Sequence, residues 1–333
     1  MVQGPFTSNT LVRRLLPGFL LGFLVFLALV LVGDFRQVGS RVFTFRWEFY
    51  PWVLGLTLFN YCLRFIKWHY YIIQIGVKNL SLVDSARLFI AGFPLAVTPG
   101  KIGEALKGLW LNQVSGIPVA RGVAVVLAER ISDGLAVLLL STLGVVATPR
   151  YWPAFAIILG VLLGVVIISQ IRPLAEALLS FGEQLPIINR FVHSLHEFYE
   201  GSYTLFRPIP TLLSVGLGTI SWLGEGIGLY VILLGLGISP GWQTLSIAIF
   251  SLSFSIVIGA ASTLPGGIGA AEASITGMLV LLLGVDTESA AAATLLIRFA
   301  TLWFGVGFGL VVWAFSRNLI TLAETKSAPA IHK

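Results

Sequence analysis

LPGGIGAAEA at residues 264–273 and TPGKIGEALKG at residues 98–108 are two copies of one motif, each interrupting an apolar segment. Backbone groups freed by such a break are tolerated at membrane depth only inside protein or beside a wet cavity. Matched broken segments in two halves of a chain are typical of a transporter binding site. We therefore predict that residues 82–113 and 264–285 form helical hairpins that dip into the membrane. The residues expected to break the helices are Pro99, Gly100, Gly103, Pro265, Gly266, Gly267 and Gly269.

Opposite charges keep the same spacing in the two copies. Glu104 precedes Arg130 by 26 residues, and Glu272 precedes Arg298 by 26 residues. The second copy carries two additional residues, and both lie between its last glycine and its acid. Charges that stay in register inside an apolar chain predict an internal two-fold repeat whose halves build one binding or transport site.

Composition places the chain among integral membrane proteins. Its mean hydropathy is +0.92, and only 11% of its residues are charged, against about 25% in a soluble domain. The net charge of +6 comes largely from basic residues that flank apolar runs, as expected for cytoplasmic ends. No basic stretch interleaved with aromatic residues indicates a nucleic-acid surface. The single cysteine, Cys62, excludes an internal disulfide.

Apolar runs near or above the ~20 residues that cross a bilayer core recur along the chain. We predict an all-α polytopic membrane protein with seven transmembrane helices, or eight if the second hairpin crosses fully. Glycines spaced four apart, such as Gly160/Gly164 and Gly305/Gly309, are expected to let helices approach closely. The predicted spans are Leu15–Val32, Tyr50–Ile73, Val119–Ala147, Pro153–Ser169, Thr211–Leu236, Leu245–Ala261 and Ala290–Phe315.

The whole chain, 1–333, is predicted to form a single integral membrane domain. Parallel and inverted arrangements of its two halves both remain open. The linker is rich in charged residues and is expected to be amphipathic and to lie at the membrane surface. The expected boundaries are 50–170 for the first half, 171–209 for the linker, 211–316 for the second half and 317–333 for a cytoplasmic tail.

Ionisable side chains within spans are costly, so they are the candidates for a substrate-binding site. Snorkelling, solvated loop charges and a purely structural ion-pair network are the alternatives. Six cations and five acids nearly balance, and the surplus cation leaves capacity for an acidic ligand. The candidates are Arg64, Lys67, Lys101, Glu104, Lys107, Glu129, Arg130, Asp133, Glu225, Glu272 and Arg298.

The first hairpin combines basic side chains with an expected helix N-terminus. A helix that begins just after Pro99-Gly100 would aim free N–H groups and its dipole at the site. Lys101 and Lys107 would add positive charge there. The hairpin is therefore predicted to favour an anionic group.

Cofactor-dependent chemistry has little support in the sequence. His193-x-x-His196 has helical ligand spacing but lacks a third ligand, so no metal site is predicted. The chain has neither a Gly-x-Ser-x-Gly nucleophile motif nor a Walker-type phosphate loop, which argues against a hydrolase and an ATP-driven pump. We predict no cofactor.

Four ordered motifs resemble the lysylphosphatidylglycerol synthase transmembrane, or flippase-like, family. They are TPGKIGEALKG at 98–108, AERISDG at 128–134, LPGGIGAAEA at 264–273 and LIRFATLW at 296–303. The resemblance extends over about 50–315 and implies movement of a lipid between leaflets. It leaves the lipid open, since some stand-alone members resemble proteins that act with polyprenyl-linked sugars. The family's synthase domain is not recognisable here, so lysyl transfer is not implied.

The leading hypothesis is a non-enzymatic protein of the cell (cytoplasmic) membrane that flips a lipid with a charged headgroup. That lipid is a phospholipid or is linked to a polyprenyl phosphate. One alternative is a polytopic enzyme or accessory subunit in polyprenyl-phosphate sugar transfer, with Glu129 and Asp133 as metal ligands or base. Another is a lipid-binding regulator that does not transport. Membrane lipids are the expected partners, nucleic acid is not, and a separate lipid-modifying or glycosyltransferase enzyme and a homo-oligomer stay open.

Overall fold

The computed structural model describes residues 35–98, 103–145, 152–173, 176–177, 180 and 191–316. These ranges are helical and contain no β-strand. Several predictions fall wholly or partly outside the described residues. They are the span Leu15–Val32, the hairpin residues Pro99, Gly100 and Lys101, part of the 171–209 linker and the tail 317–333.

Twelve α-helices are numbered here in chain order within the described ranges. Short 3₁₀ segments lie at Trp47–Phe49, Phe93–Val97 and Pro265–Gly267, and a π-helical segment lies at Phe299–Trp303. The helices are α1 Phe35–Phe43, α2 Tyr50–Gln74, α3 Leu82–Ala91, α4 Leu106–Ser115, α5 Val119–Val145, α6 Trp152–Ser169, α7 Val192–Leu205, α8 Pro208–Gly235, α9 Trp242–Ala261, α10 Ala270–Leu283, α11 Thr287–Arg298 and α12 Phe304–Phe315.

The predicted apolar segments inside the described ranges are helical, and their starts lie within three residues of the observed helix starts. Pro at the first or second helical position marks the beginnings of α2 and α8, where a missing N–H costs nothing. Within the described chain, four segments are long and apolar enough to cross a membrane: Pro208–Gly235, Trp242–Ala261, Pro265–Leu283 and Thr287–Phe315. The total of seven or eight spans stays a prediction.

The segment that precedes the first Pro-Gly break lies against the second break. The 3₁₀ segment before the first break contacts the 3₁₀ segment at Pro265–Gly267. Val97, Ile268 and Val306 form a small buried cluster at this junction. The second break therefore lies in the protein interior, where its freed backbone groups can find partners.

Close backbone approach explains the glycines of the breaks. Gly266 and Gly267 have φ of 62° and 64°, a region that side chains other than glycine rarely adopt. A Cβ on Gly267 would also lie 2.9 Å from Gly259 Cα. In the first copy, Gly103 N–H donates to Thr98 Oγ1 at 3.0 Å, and a Cβ on Gly103 would lie 2.6 Å from that oxygen.

The helix after the first break begins later than expected. Residues 103–105 form a 3₁₀ turn, and the regular helix α4 begins at Leu106 rather than just after Gly100. Glu104 therefore lies in the turn and is 4% exposed. The helix start expected at Lys101 lies outside the described residues, so the anion site there stays a prediction.

The two largest clusters of buried apolar side chains in the described chain contain Trp68 and Leu111 in one case and Leu229 and Ile297 in the other. α2 packs along α8, and α5 packs against α7, α8 and α9. The described part of the linker, α7, is thus a packed helix: Leu205 is buried, and Glu197 forms an ion pair with Arg121 of α5. This packing places α5, the most charged long helix, at the centre of the fold.

The last predicted span, Ala290–Phe315, contains a π-helical segment that its sequence does not predict. Immediately after Arg298 the helix widens into the π-helical segment Phe299–Trp303. Tyr61 OH donates to the Thr301 carbonyl at 2.5 Å, and this bond satisfies a backbone oxygen beside the irregular turn. Such segments often occur at functional sites.

Glycine-mediated packing is confirmed at one of the two quoted glycine pairs. A Cβ on Gly305 would meet the Tyr61 hydroxyl at 2.5 Å, and a Cβ on Gly309 would meet Pro94 Cδ at 2.3 Å. Gly160 and Gly164 have nothing within 4 Å of such a Cβ. The prediction of close packing was wrong for that pair among the described residues.

Gly309→Ala should destabilise the protein by about 1–3 kcal/mol, because overpacking a tight helix contact forces the backbone apart. Gly307→Ala on the same helix is the matched control, since a Cβ there meets nothing within 4 Å. Thermal unfolding in detergent measures both variants. Equal melting temperatures for the two would show that α12 does not depend on this contact.

Candidate functional site

A cavity of about 490 Å³ is lined by the 3₁₀ segments Phe93–Val97 and Pro265–Gly267 together with α2, α5, α8 and α9. Most of its wall is apolar, including Ile158 and Leu162 of α6 and Leu302 of the π-helical segment. Its size lies within the range typical of small-molecule sites. The charged side chains that line it are Arg64, Glu104, Lys107, Arg130, Asp133, Glu225 and Arg298.

Three further predicted site residues, Lys67, Glu129 and Glu272, lie behind this lining. Each is at most 5% exposed and forms an ion pair with a lining residue. The structure thus brings together ten of the eleven predicted ionisable residues, and Lys101 lies outside the described ranges. Among the predicted glycines, Gly266 and Gly267 also line the cavity.

Asp133 on α5 is the centre of the first-half charges. Lys67 Nζ donates to one carboxylate oxygen of Asp133 and to Ser132 Oγ at 3.2 Å. The other oxygen of Asp133 lies 3.8 Å from Arg64 Nη2 and 3.9 Å from Arg130 Nη2. Because Lys67 is 1% exposed, its charge requires this compensation.

Lys107 on α4 pairs with Glu129, which lies one helical turn before Asp133 on α5. Its Nζ donates to Glu129 Oε2 at 3.2 Å. The same ammonium lies 4.9 Å from the ring centroid of Trp68 and 5.5 Å from that of Phe89, and cation–π attraction supports it there. Glu129 and Asp133 lie on one face of α5 but pair with different lysines, Lys107 and Lys67.

The acid and the arginine of each motif copy form an ion pair. Arg130 Nε lies 3.3 Å from Glu104 Oε2, and Arg298 Nε donates to Glu272 Oε1 at 2.5 Å. The other oxygen of Glu272 accepts the Gly269 N–H at 2.6 Å. The acid and the arginine that share the 26-residue spacing are thus paired in both copies.

Further local features coincide between the two copies. A left-handed glycine, Gly116 or Gly284, ends the helix 12 residues after the acid. The following helix begins at Val119 or Thr287, eleven residues before the arginine. These coincidences accord with a repeat, whose two-fold arrangement stays a prediction.

The two arginines differ in how tightly they are held. Arg298 is oriented by two aligned hydrogen bonds, to Glu272 and to the Gly266 carbonyl at 3.1 Å, and its side chain is 15% exposed. The Arg130 Nε has no aligned hydrogen bond in the described chain, and its side chain is 30% exposed to the cavity side. Arg130 is therefore the cation more available to a ligand.

Glu225 on α8 differs from the other four acids. It is 5% exposed and lines the cavity. Among the described residues, none forms an ion pair or hydrogen bond with its carboxylate. The charged groups that act on it electrostatically are Arg64, Arg298 and Asp133.

Aromatic lining residues were missed by the sequence analysis. Tyr61 and Trp222 both face the cavity, and the Arg64 guanidinium lies 5.4 Å from the Trp222 ring centroid. Each stands three residues before a charged lining residue, Arg64 or Glu225, on the same helix face. This three-residue spacing is the sequence feature from which the two aromatic lining residues could have been predicted.

Known membrane proteins are similar to this chain over most of its length. The family model described as the lysylphosphatidylglycerol synthase TM region matches residues 19–309. A UPF0104 membrane protein from Methanothermobacter thermautotrophicus is 26% identical over 313 residues, covering 88% of this chain and 91% of the relative. Another, from Methanocaldococcus jannaschii, is 23% identical over 226 residues, covering 68% and 95%. No solved structure matches the chain.

Glu272→Gln should destabilise the fold by about 3 kcal/mol, because it leaves the Arg298 charge without its acid in a buried setting. Glu48→Gln is the control, since that exposed carboxylate pairs with Arg46 at the surface and should change stability by less than about 1 kcal/mol. Chemical unfolding in lipid nanodiscs measures both. A double variant that also carries Arg298→Gln should recover part of the loss, and no recovery would contradict the pairing.

Proposed function

The chain belongs to the lysylphosphatidylglycerol synthase transmembrane family, and from this premise we propose that it moves a lipid with a charged headgroup between membrane leaflets. One observation carries the proposal: half-buried arginines and buried acids converge on a cavity between apolar helices. Charges are expensive in such surroundings and are retained for function. The family and the apolar helices support a multi-pass membrane protein with a lipid-related role.

Arginine suits the proposed headgroup contact. Its planar guanidinium binds phosphate through two parallel hydrogen bonds and stays charged. Arg64, Arg130 and Arg298 line the cavity from three different helices, so one phosphate could exchange contacts among them. The neighbouring acids keep these cations compensated while no lipid is bound.

Apolar surface would accompany the lipid tails. Ile158 and Leu162 line the cavity from α6, whereas Ile157 and Val161 on the same helix are exposed. A headgroup inside the cavity would thus remain close to hydrocarbon outside it. The proposal includes two re-entrant hairpins at the breaks, seven or eight spans and residence in the cell membrane.

The enzymatic alternative in polyprenyl-phosphate sugar transfer is less well supported. It assigned metal binding or proton abstraction to Glu129 and Asp133. Both carboxylates are instead engaged by lysines, Lys107 and Lys67, and a metal ion would have to displace those cations. No group of three or more metal-ligating side chains occurs in the part of the chain that the structure describes.

Arg130→Ala and Arg298→Ala should each slow lipid translocation roughly tenfold or more, since a hydrogen bond to a charged group contributes about 1.5–3 kcal/mol. The measurement is leaflet sidedness of a labelled phospholipid in proteoliposomes. Arg87→Ala is the matched control, because Arg87 pairs with Asp84 at the surface of α3 and should move lipid like wild type.

Wild-type rates in both cavity variants would reject the assigned site. Binding of the labelled lipid without any translocation by wild type would favour a lipid-binding regulator instead.

A further inference from the structure

Glu225 is the acid of the cavity that forms no ion pair among the described residues. The other acids each have a cation within 4 Å: Glu104 has Arg130, Glu129 has Lys107, Asp133 has Lys67, and Glu272 has Arg298. In the described chain no cation takes this place beside Glu225. Its carboxylate nevertheless lies in an interior position on an apolar helix, facing the cavity.

The charges around the cavity add up to zero when Glu225 is ionised. Among the described residues the cluster holds five cations and five acids. The cations are Arg64, Lys67, Lys107, Arg130 and Arg298, and the acids are Glu104, Glu129, Asp133, Glu225 and Glu272. The described charges of an empty cavity are thus balanced when Glu225 is ionised.

A phosphodiester headgroup carries one negative charge and would unbalance this cluster. An uncompensated charge in a low-dielectric interior is strongly unfavourable. A proton on the Glu225 carboxylate removes one negative charge and restores neutrality. Resting on the function proposed above, we propose that the cavity takes up a monoanionic phosphodiester headgroup together with one proton, and that Glu225 carries this proton.

The surroundings of Glu225 suit a proton carrier. α2 contributes Tyr61 and Arg64, α5 contributes Asp133, and α11 contributes Arg298. α9 packs on α8 and has no ionisable residue.

The Trp47–Phe49 turn also packs on α8, but far from this carboxylate. The Trp47–Phe49 turn is anchored at Gly235 through the Arg46 N–H, about 15 Å along the helix from Glu225. Its charges, Arg46 and Glu48, pair with each other. A phosphodiester between Arg64 and Arg298 would therefore lie in the field of one acid free to change charge.

The linkage has a defined sign. Binding of the anion and binding of the proton favour each other, and this coupling is reciprocal. Affinity for the lipid should be highest at low pH and should fall up to tenfold per pH unit as Glu225 loses its proton. One proton per bound lipid should be absorbed within that range.

Proton uptake tests the proposal directly. Purified full-length protein in weakly buffered detergent would be mixed with short-chain phosphatidylglycerol between pH 5 and 9 while an indicator dye records released or absorbed protons. Wild type should absorb about one proton per lipid bound at some pH in this range. Glu225→Gln should bind the lipid at every pH as well as wild type does at low pH, without absorbing a proton.

Controls separate this inference from the proposed function. Glu48→Gln, at a surface acid, should behave as wild type. Phosphatidylcholine, whose headgroup is neutral overall, should bind without proton uptake. Glycerophosphoglycerol, a soluble diester, distinguishes a free headgroup from a lipid: proton uptake with the lipid alone assigns the site to lipid, and uptake with both assigns it to the diester.

The outcomes are distinct. Lipid binding by wild type with no proton uptake at any pH, or uptake that persists in Glu225→Gln, would overturn the inference and leave the proposed function standing. Absence of binding by wild type throughout the pH range would overturn the proposed function itself. Proton uptake by wild type that Glu225→Gln abolishes would establish Glu225 as the carrier.

Discussion

The compensation of buried charge is the constraint on which this structure depends. Helix α5 carries Glu129, Arg130 and Asp133 through the middle of the fold, where both acids are buried and Arg130 is half-buried. Each of these charges is met by an opposite charge from another segment of the chain. The helices that supply those partners, together with the segment of the first break, are thereby held around one cavity. Packing of apolar surface alone would not specify this arrangement.

The second break contributes backbone groups to the cavity through Gly266 and Gly267. In an uninterrupted helix the backbone N–H and C=O groups bond to each other, so only side chains would face the cavity. At the breaks, glycine permits close approach and unusual φ values, as at Gly266 and Gly267, and leaves backbone groups to be used by neighbours. The Gly266 carbonyl, for example, accepts a hydrogen bond from Arg298. Irregular backbone and buried charge therefore stabilise each other at the same place.

Equal spacing predicted that the acids and arginines of the two motif copies belong to one site, but it did not identify Glu104–Arg130 and Glu272–Arg298 as the pairs that form. Other pairings have no comparable signal. Lys67 and Asp133 are separated by 66 residues, and their contact depends on the relative rotation of packed helices. The π-helical segment after Arg298 contains no proline or glycine from which an irregular helix could have been predicted.

The sequence alone determined the membrane class and the helical segments, because both follow from local hydropathy and from the positions of proline and glycine. It also determined which ionisable residues fall within apolar segments. Only the tertiary structure decided which acid neutralises which cation, and that Glu225 remains without a partner among the described residues. Such pairings depend on distances between helices far apart in the chain. A difference of one helical turn in packing would exchange them without changing any local pattern.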